Sequence, residues 1–441
     1  MSENTLHHIV IVGGGAGGLE LATKLGHSLG RTGKARITLI DKSKTHVWKP
    51  LLHEIAAGSM NPERHELVYF AQAHWHHFEF RLGNMDSLNR ERKEISIAPN
   101  YDEDGYEVIP RRNFNYDTLV IAVGSMTNDF GIQGVRQYAK ALDTQQQAEK
   151  LHRLIHNSLI RAQTQTEALR PGQLQVAIVG AGATGVELAA ELHNTTRELA
   201  AYGLDKIDPD KDIQISLIDA TDRLLPGLPE KISQSVQAEL LKLNIQIHLA
   251  ERVTDVSHQG VSTQSGKFIA SELVVWAAGI KAPDFLKNLD GLETNSINQL
   301  IVHETLQSTL DDNIFAFGDC ASCPWIGHEP LRVPPRAQAA HQQASLLVKT
   351  IKQRVKHDPV LPKYIYHDYG SLVHLGAYTT VGSLMGALTG GRLFIEGFMA
   401  GLMYQSLYKL HLMAVHGFWS TALLTLSRLI TRRTEARVKL H

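Results

Sequence analysis

The chain has 441 residues, 43% apolar and 20% charged, with a formal net charge of −1. That composition supplies a core for two or three domains and excludes wholesale disorder, while the near-neutral charge excludes a strongly basic nucleic-acid binder. The only cysteines, Cys320 and Cys323, exclude a disulfide framework and argue for a reducing compartment. No run of about 18 apolar residues predicts a transmembrane helix, and no charged-then-apolar leader precedes the first strand, so no signal peptide is expected.

The first element is the β-branched run His8-Ile9-Val10-Ile11-Val12, read as a strand. The turn Gly13-Gly14-Gly15-Ala16-Gly17-Gly18 follows, and then a helix from Leu19 to Leu25. Strand, glycine turn and helix are the context that gives a G-x-G-x-x-G its meaning as a dinucleotide site. Gly13 allows the tight turn, Gly15 lets a pyrophosphate approach the backbone, and Gly18 lets helix and strand pack closely. A second strand, Ala35 to Asp41, ends in an acid placed to bind a ribose with both hydroxyls free.

Pro50 makes His46 to Glu54 a loop or a helix entry. Residues 66–97 alternate short apolar runs with charge and end in a hairpin strand, Glu94 to Ile97. The tract His74-Trp75-His76-His77 has no familiar metal-ligand spacing and no Cys or acid cluster beside it. It reads as a partly exposed helix end, and no metal is expected. Tyr116 to Gly124 is a buried strand ending in a glycine that can run under the phosphate-binding turn. A polar helical stretch from Thr144 to about Thr166 leads to a linker at Arg170-Pro171-Gly172.

The pattern then repeats. Val176 to Val179 is a strand, followed by Gly180-Ala181-Gly182-Ala183-Thr184-Gly185 and a helix from Val186 to Leu192. Gly13, Gly15, Gly18, Glu20, Leu21 and Ala22 align with Gly180, Gly182, Gly185, Glu187, Leu188 and Ala189. The repeat implies two dinucleotide sites on one chain. Its acid strand, Ile213 to Asp219, favours NADH because a carboxylate repels a 2′-phosphate; Arg223 nearby weakens that preference. Leu273 to Gly279 is the counterpart of the strand ending at Gly124.

Asn313 to Asp319 is a strand ending in an acid that returns the chain to the first domain. Pro334 and Pro335 suit a helix start, which puts Ala337 and Gln338 in the first turn. Gln338, His341 and Gln342 then share one face, either a solvated surface or part of a site. From Gly397 onward Met403, Leu407, Leu410, Ala414 and Phe418 line up on a helical wheel. Tyr404, Tyr408, Val415 and Trp419 flank them, and Gln405, Lys409, His416 and Ser420 lie opposite. A second segment sets Leu423, Leu426 and Ile430 against Thr425, Arg428 and Arg432, with Arg433, Arg437 and Lys439 beyond. Apolar opposite basic fits a helix lying in a membrane interface; a core-packing or dimer helix is the other reading.

The order of two dinucleotide folds, Trp48-Lys49-Pro50-Leu51-Leu52-His53-Glu54, Gly318-Asp319-Cys320-Ala321, and Pro334 to Gln342 together resemble type II NADH:quinone oxidoreductases of the proteobacterial respiratory form. The resemblance covers essentially the whole chain. It implies an α/β fold with two Rossmann-type domains of the flavin disulfide reductase kind. The domains are an FAD domain in two parts (1–143 and 311–396), an NADH domain (144–310) and a C-terminal amphipathic membrane-associating region (397–441). It implies non-covalent FAD held by Gly13, Gly15, Gly18, Asp41, Lys49, Gly124, Asp319, Ala337 and Gln338. NADH would be held by Gly180, Gly182, Gly185, Glu187, Asp219 and Gly279. The second acid is Asp219 where Glu is common in the family.

The resemblance further implies a membrane quinone, ubiquinone or menaquinone, met by Gln338, His341 and Gln342, with Glu187, Gln338 and His341 as catalytic residues. It implies a peripheral place on the cytoplasmic side of the cell inner membrane, on an anionic lipid surface, without proton pumping; a homodimer is compatible with it. NADH would pass a hydride to the flavin, which the protein holds close and aligned. The dipole of the helix starting near Pro335 would stabilise the anionic reduced ring. Gln338 can orient a quinone carbonyl, and His341 can donate a proton near neutral pH. Glu187 either relays a proton or shapes the nicotinamide site. Disulfide reduction is the competing enzyme class, but residues 40–60 hold no cysteine, and Cys320-Ala321-Ser322-Cys323 lies far along the chain. An NADH-sensing interaction protein is the non-enzymatic alternative.

Overall fold

The computed structural model describes residues 6–376, 378–386 and 391–431. By contact the chain divides into two units. One comprises Met1–Trp48, Glu66–Met126 and Ile280–His367; the other comprises Lys49–His65, Thr127–Gly279 and Asp368–His441.

The first unit is built on a six-stranded sheet. Its order is Gln307–Ser308, Asp311–Ala316, Thr118–Ile121, His7–Val12, Ala35–Asp41, Glu79–Leu82. The strand before the glycine turn is central and parallel to both neighbours, with Ile11 opposite Val120 on one side and Leu39 on the other. Both of its faces are covered, which is why it reads as an unbroken apolar run rather than an alternating one. Ile9, Val10 and Ile11 are fully buried. The helix Ala16–Leu25 packs against the helix Ala337–Val355. A Cβ on Gly17 would sit 2.4 Å from the Phe317 ring and 3.2 Å from the Ala340 carbonyl, so that packing depends on the glycine.

The second unit repeats the plan in a five-stranded parallel sheet. The order is Ala139–Ala141, Leu273–Trp276, Gln175–Val179, Gln214–Ile218, Gln246–His248. Again the strand before the glycine turn lies between the acid-ended strand and the glycine-ended one. Ala177, Val179, Ile218, Val274 and Trp276 form its core. The polar helical stretch is the helix Gln145–Thr164, started by a capping box in which Thr144 and Gln147 satisfy each other's backbone.

Pro50 lies in a short 3-10 turn, Lys49–Leu51, that enters the helix Leu52–Ala57. Glu94–Ile97 is the middle strand of an antiparallel three-stranded sheet. The histidine tract closes the helix Tyr69–His76, with His77 left-handed at φ 58°. In the second unit a three-stranded antiparallel sheet, Gly370–His374, Thr380–Gly386 and Gly391–Glu396, precedes the helices Phe398–His416 and Phe418–Thr431. Gly417, at φ 78°, breaks the two helices apart. Among the described residues no helix is long and apolar enough to cross a membrane.

Candidate functional site

Each unit carries a cradle at its glycine turn. A Cβ on Gly13 would lie 2.3 Å from the Ala122 carbonyl oxygen and one on Gly18 would lie 1.8 Å from that of Gly13, so both positions exclude any larger residue. A Cβ on Gly15 would meet nothing within 4 Å. The chain is crowded where strand and helix touch and open where a pyrophosphate would lie. Asp41 completes the turn: its Oδ2 accepts from the Gly14 N–H at 2.6 Å and its Oδ1 from that of Ser43 at 2.8 Å. The Tyr69 hydroxyl donates to the Gly14 carbonyl at 2.6 Å from the buried side. Burial pushes the Asp41 carboxyl up, against these hydrogen bonds. The backbone of Gly124 is left-handed at φ 69°. Beside it, the Ser125 hydroxyl donates to Asp319 Oδ2 at 2.8 Å, and the buried Gln343 accepts the Gly318 N–H at 2.8 Å.

The second cradle matches the first. A Cβ on Gly185 would lie 1.9 Å from the Gly180 carbonyl oxygen, and one on Gly182 would meet nothing within 4 Å. Asp219 Oδ2 accepts the Ala181 N–H at 2.5 Å, and its Oδ1 accepts from Thr221 N–H at 2.8 Å and Thr221 Oγ1 at 2.7 Å. Arg223 donates to the Pro226 carbonyl at 2.7 Å. The Gly279 carbonyl accepts the Asn128 N–H at 3.3 Å. Lys49 belongs to this unit and pairs with Asp143 at 3.2 Å.

The helix Ala337–Val355 begins in an extended Arg336, whose own side chain makes no capping hydrogen bond. Its three singled-out polar residues find different partners. Gln338 Nε2 donates to the Tyr366 hydroxyl at 2.9 Å. Gln342 gives and takes a hydrogen bond with the backbone of His367, at 2.8 and 3.0 Å, so its amide holds a neighbouring segment in place. His341 turns the other way and hydrogen-bonds Glu20 through Nδ1. Glu20 is 2% exposed; burial raises its carboxyl, but hydrogen bonds from His341 and Lys24 outweigh this and hold it below the usual range. A groove of about 440 Å³ runs along this face, lined by His341, Gln342, Ser345, Lys349, Lys363 and His367 among others.

In the second unit Glu187 is 6% exposed and accepts the His374 backbone N–H at 3.0 Å. Burial, together with the charges of Glu54 and Glu191, pushes it up to about 8. Cys320 and Cys323 are buried free thiols, each pushed up to about 12 by burial, so neither is a ready thiolate.

The C-terminal helices are apolar on more than one face. Leu407, Leu410, Phe418, Trp419, Leu423 and Leu426 are exposed. Tyr404 and Val415 are not: with Ala400, His411 and Leu412 they are buried, the helix packing on the sheet of strands 370–396. This corrects their reading as flanks of an exposed face, because this helix has a core side as well. The side chains of Arg428 and Ile430, and residues Arg432, Arg433, Arg437 and Lys439, lie outside the described residues.

The sequence left unassigned Tyr69, Ser125, Gln343 and the partnership of Glu20 with His341. Its one signal was the alignment of Glu20 with Glu187 across the repeat.

Residues 7–344 match the pyridine nucleotide-disulphide oxidoreductase family. The chain is 41% identical over 448 residues to a type II NADH:quinone oxidoreductase of Haemophilus influenzae, covering 99% of this chain and all of that one. It is 27% identical to one from Staphylococcus aureus, over 87% of this chain and 91% of that one. Its fold matches the structure of NDH2 from Plasmodium falciparum in complex with NADH at a TM-score of 0.80 and 20% identity, covering 98% and 100% of the two chains.

Proposed function

The chain belongs to the type II NADH:quinone oxidoreductases, and on that footing we propose that it oxidises NADH and, through FAD, reduces a membrane quinone in a respiratory chain without pumping protons. The observation that carries this reading is the pair of matching cradles, each open over its middle glycine and closed by its own aspartate. The residues present fit a flavin dinucleotide in the first unit: Gly15 leaves room for a pyrophosphate, and Asp41 and Asp319 stand at the turn with oxygens suited to sugar and ribityl hydroxyls. When bound, FAD supplies a two-electron acceptor that takes a hydride and hands electrons on.

On this reading residues 1–143 and 311–396 serve FAD, through Gly13, Gly15, Gly18, Asp41, Gly124, Asp319, Ala337 and Gln338, with Lys49 contributing. Residues 144–310 serve NADH, through Gly180, Gly182, Gly185, Asp219 and Gly279. Glu187 is a proton-handling or nicotinamide-positioning group. Gln338 orients a quinone carbonyl, His341 donates a proton, and Gln342 holds the wall beside them. The exposed apolar residues Leu407, Leu410, Phe418, Trp419, Leu423 and Leu426 lie on an anionic lipid surface at the cytoplasmic side of the inner membrane, with ubiquinone or menaquinone as acceptor.

The test is turnover. Purified protein should be yellow and should oxidise NADH with a short-chain quinone far faster than NADPH. Colourless protein that binds NADH without turnover would establish the sensing alternative instead.

A further inference from the structure

The helix Ala337–Val355 and the strap that follows it to His367 carry a charge that the chain as a whole does not. From Ala337 to His367 there are five cations, Lys349, Lys352, Arg354, Lys356 and Lys363, against one acid, Asp358, in a chain of net charge −1. Arg354 is engaged inside the fold, where its guanidinium donates to the Asp312 carbonyl and to Asn313 Oδ1, both at 2.9 Å. Two other lysines of this unit are tied to carboxylates, Lys24 to Glu20 and Lys281 to Asp284. Lys349 and Lys363 are exposed and form no ion pair among the described residues.

The strap fixes where its side chains point. Tyr364 and Tyr366 are buried, while Lys363, Ile365 and His367 are exposed, which is the alternation of an extended chain. The inward side is held at three points. The Tyr364 N–H donates to the Glu304 carbonyl at 2.7 Å, the Tyr366 hydroxyl accepts from Gln338, and Gln342 clasps the backbone of His367. Helix and strap line the groove of about 440 Å³, a volume in the range of about 300–1,000 Å³ usual for small-molecule sites. Lys349, Lys363, Leu346 and Ile365 line it, and among the described residues no acid does. Lys349 lies about 12 Å beyond His341 along the helix axis, at 1.5 Å per residue. Val360, 70% exposed, and Ile365, 57% exposed, add apolar surface on the same strap.

We propose that this groove binds the phosphate headgroup of an anionic phospholipid and gives the first unit a membrane contact of its own. The proposal rests on the reading of the protein as an enzyme of the membrane surface. Two ammonium groups on one groove suit a phosphate diester. Their long stems can lie along apolar surface while the charged heads reach the headgroups. A soluble anion would call on the lysines alone. Val360 and Ile365 fit a lipid, because apolar side chains enter the headgroup layer while cations meet its phosphates. Two lysines orient a protein on a bilayer without anchoring it alone. The salt-resistant part of the binding stays with the C-terminal helices.

The test uses the full chain with its flavin, floated with phosphatidylcholine vesicles that contain or lack phosphatidylglycerol, at low and at high salt. At low salt the wild type should prefer the vesicles with phosphatidylglycerol. Lys349→Gln and Lys363→Gln should each weaken that binding about fivefold, and together about 25-fold. Binding to phosphatidylcholine alone, and binding at high salt, should not change. Lys287→Gln removes the same charge from another exposed position of this unit and should keep the wild-type affinity. Turnover with a short, water-soluble quinone should stay at the wild-type level in all these variants. A double variant that binds phosphatidylglycerol vesicles as tightly as wild type overturns the site. So does an equal loss in Lys287→Gln, which would make the effect one of net charge. Displacement from the vesicles by inorganic phosphate at matched ionic strength would make the groove a soluble-anion site and overturn the lipid assignment. If the double variant does not accumulate, the single variants are read by the same criteria. Wild-type protein without any NADH to quinone turnover would sink the functional reading instead, a distinct result.

Discussion

The carboxylate of Asp219 accepts the backbone N–H of Ala181 at 2.5 Å, inside the glycine turn it serves. Asp41 does the same for Gly14 at 2.6 Å in the other unit. In each case an acid at the end of a strand fixes the glycine turn that follows its neighbour strand. A carboxylate so held also repels a 2′-phosphate. Asp219→Ser should therefore raise the NADH KM about tenfold, the loss of a charge-assisted hydrogen bond, and narrow the preference for NADH over NADPH. An unchanged NADH to NADPH ratio would show that Asp219 only holds the turn.

The glycines divide into two kinds. Gly15→Val places its side chain in open space, so the protein should fold and lose its flavin. Gly182→Val should keep flavin and raise the NADH KM. Gly18→Ala meets the Gly13 carbonyl oxygen at 1.8 Å and should fail to accumulate as folded protein. Absorbance of retained flavin, read beside circular dichroism, separates these outcomes. Flavin loss in Gly182→Val would mean that the two sites are reversed.

Glu187 gives a stability prediction with a definite sign. Its folded value, about 8, lies above the ordinary 4.5. Between those values the folded protein holds a proton that the unfolded chain has lost, so stability falls as pH rises through that window. Glu187→Gln carries no such penalty and can still accept the His374 N–H. Near pH 9 it should be more stable than wild type by on the order of 1 kcal/mol or more and unfold at a higher temperature, with the gap closing toward pH 4. A gap independent of pH would show that the carboxyl is not raised. The gain in stability should accompany a loss of turnover.

Both dinucleotide folds were legible because a glycine turn is written in consecutive residues and its strand and helix stand on either side. The repeat doubled that signal. The partners that hold the site residues were not legible. His341 meets Glu20 across 321 positions, and no periodicity encodes that meeting. Gln338, His341 and Gln342 share a helix face by spacing, yet Gln342 holds the backbone of His367 while His341 points to another helix. The tail failed on the wheel for a related reason. A helix that is apolar on two sides does not announce which side is buried, so the wheel leaves membrane and packing readings open and does not single out Tyr404 and Val415 as the packed side.

The tail carries the last prediction, and its two sides divide the experiment. Quinones live in the bilayer, so the enzyme must lie against it. Leu407, Leu410, Phe418, Trp419, Leu423 and Leu426 offer the exposed apolar surface that would insert at the headgroup level. Any basic residue near the surface adds about 1 kcal/mol, and apolar burial resists salt. Truncation near Gly417 removes the second helix and leaves Tyr404, His411, Leu412 and Val415 in their buried places. That protein should keep its flavin and its turnover with short, water-soluble quinones. It should also leave the membrane fraction and turn over long-chain quinones more slowly. Truncation at Gly397 also strips those buried side chains and should destabilise the second unit itself, since each large apolar side chain buried is worth about 1.5–3 kcal/mol. High salt should release the intact protein only in part. A protein cut at Gly417 that stays on membranes would place the anchor elsewhere, and one that loses its flavin would make the second helix a packing element.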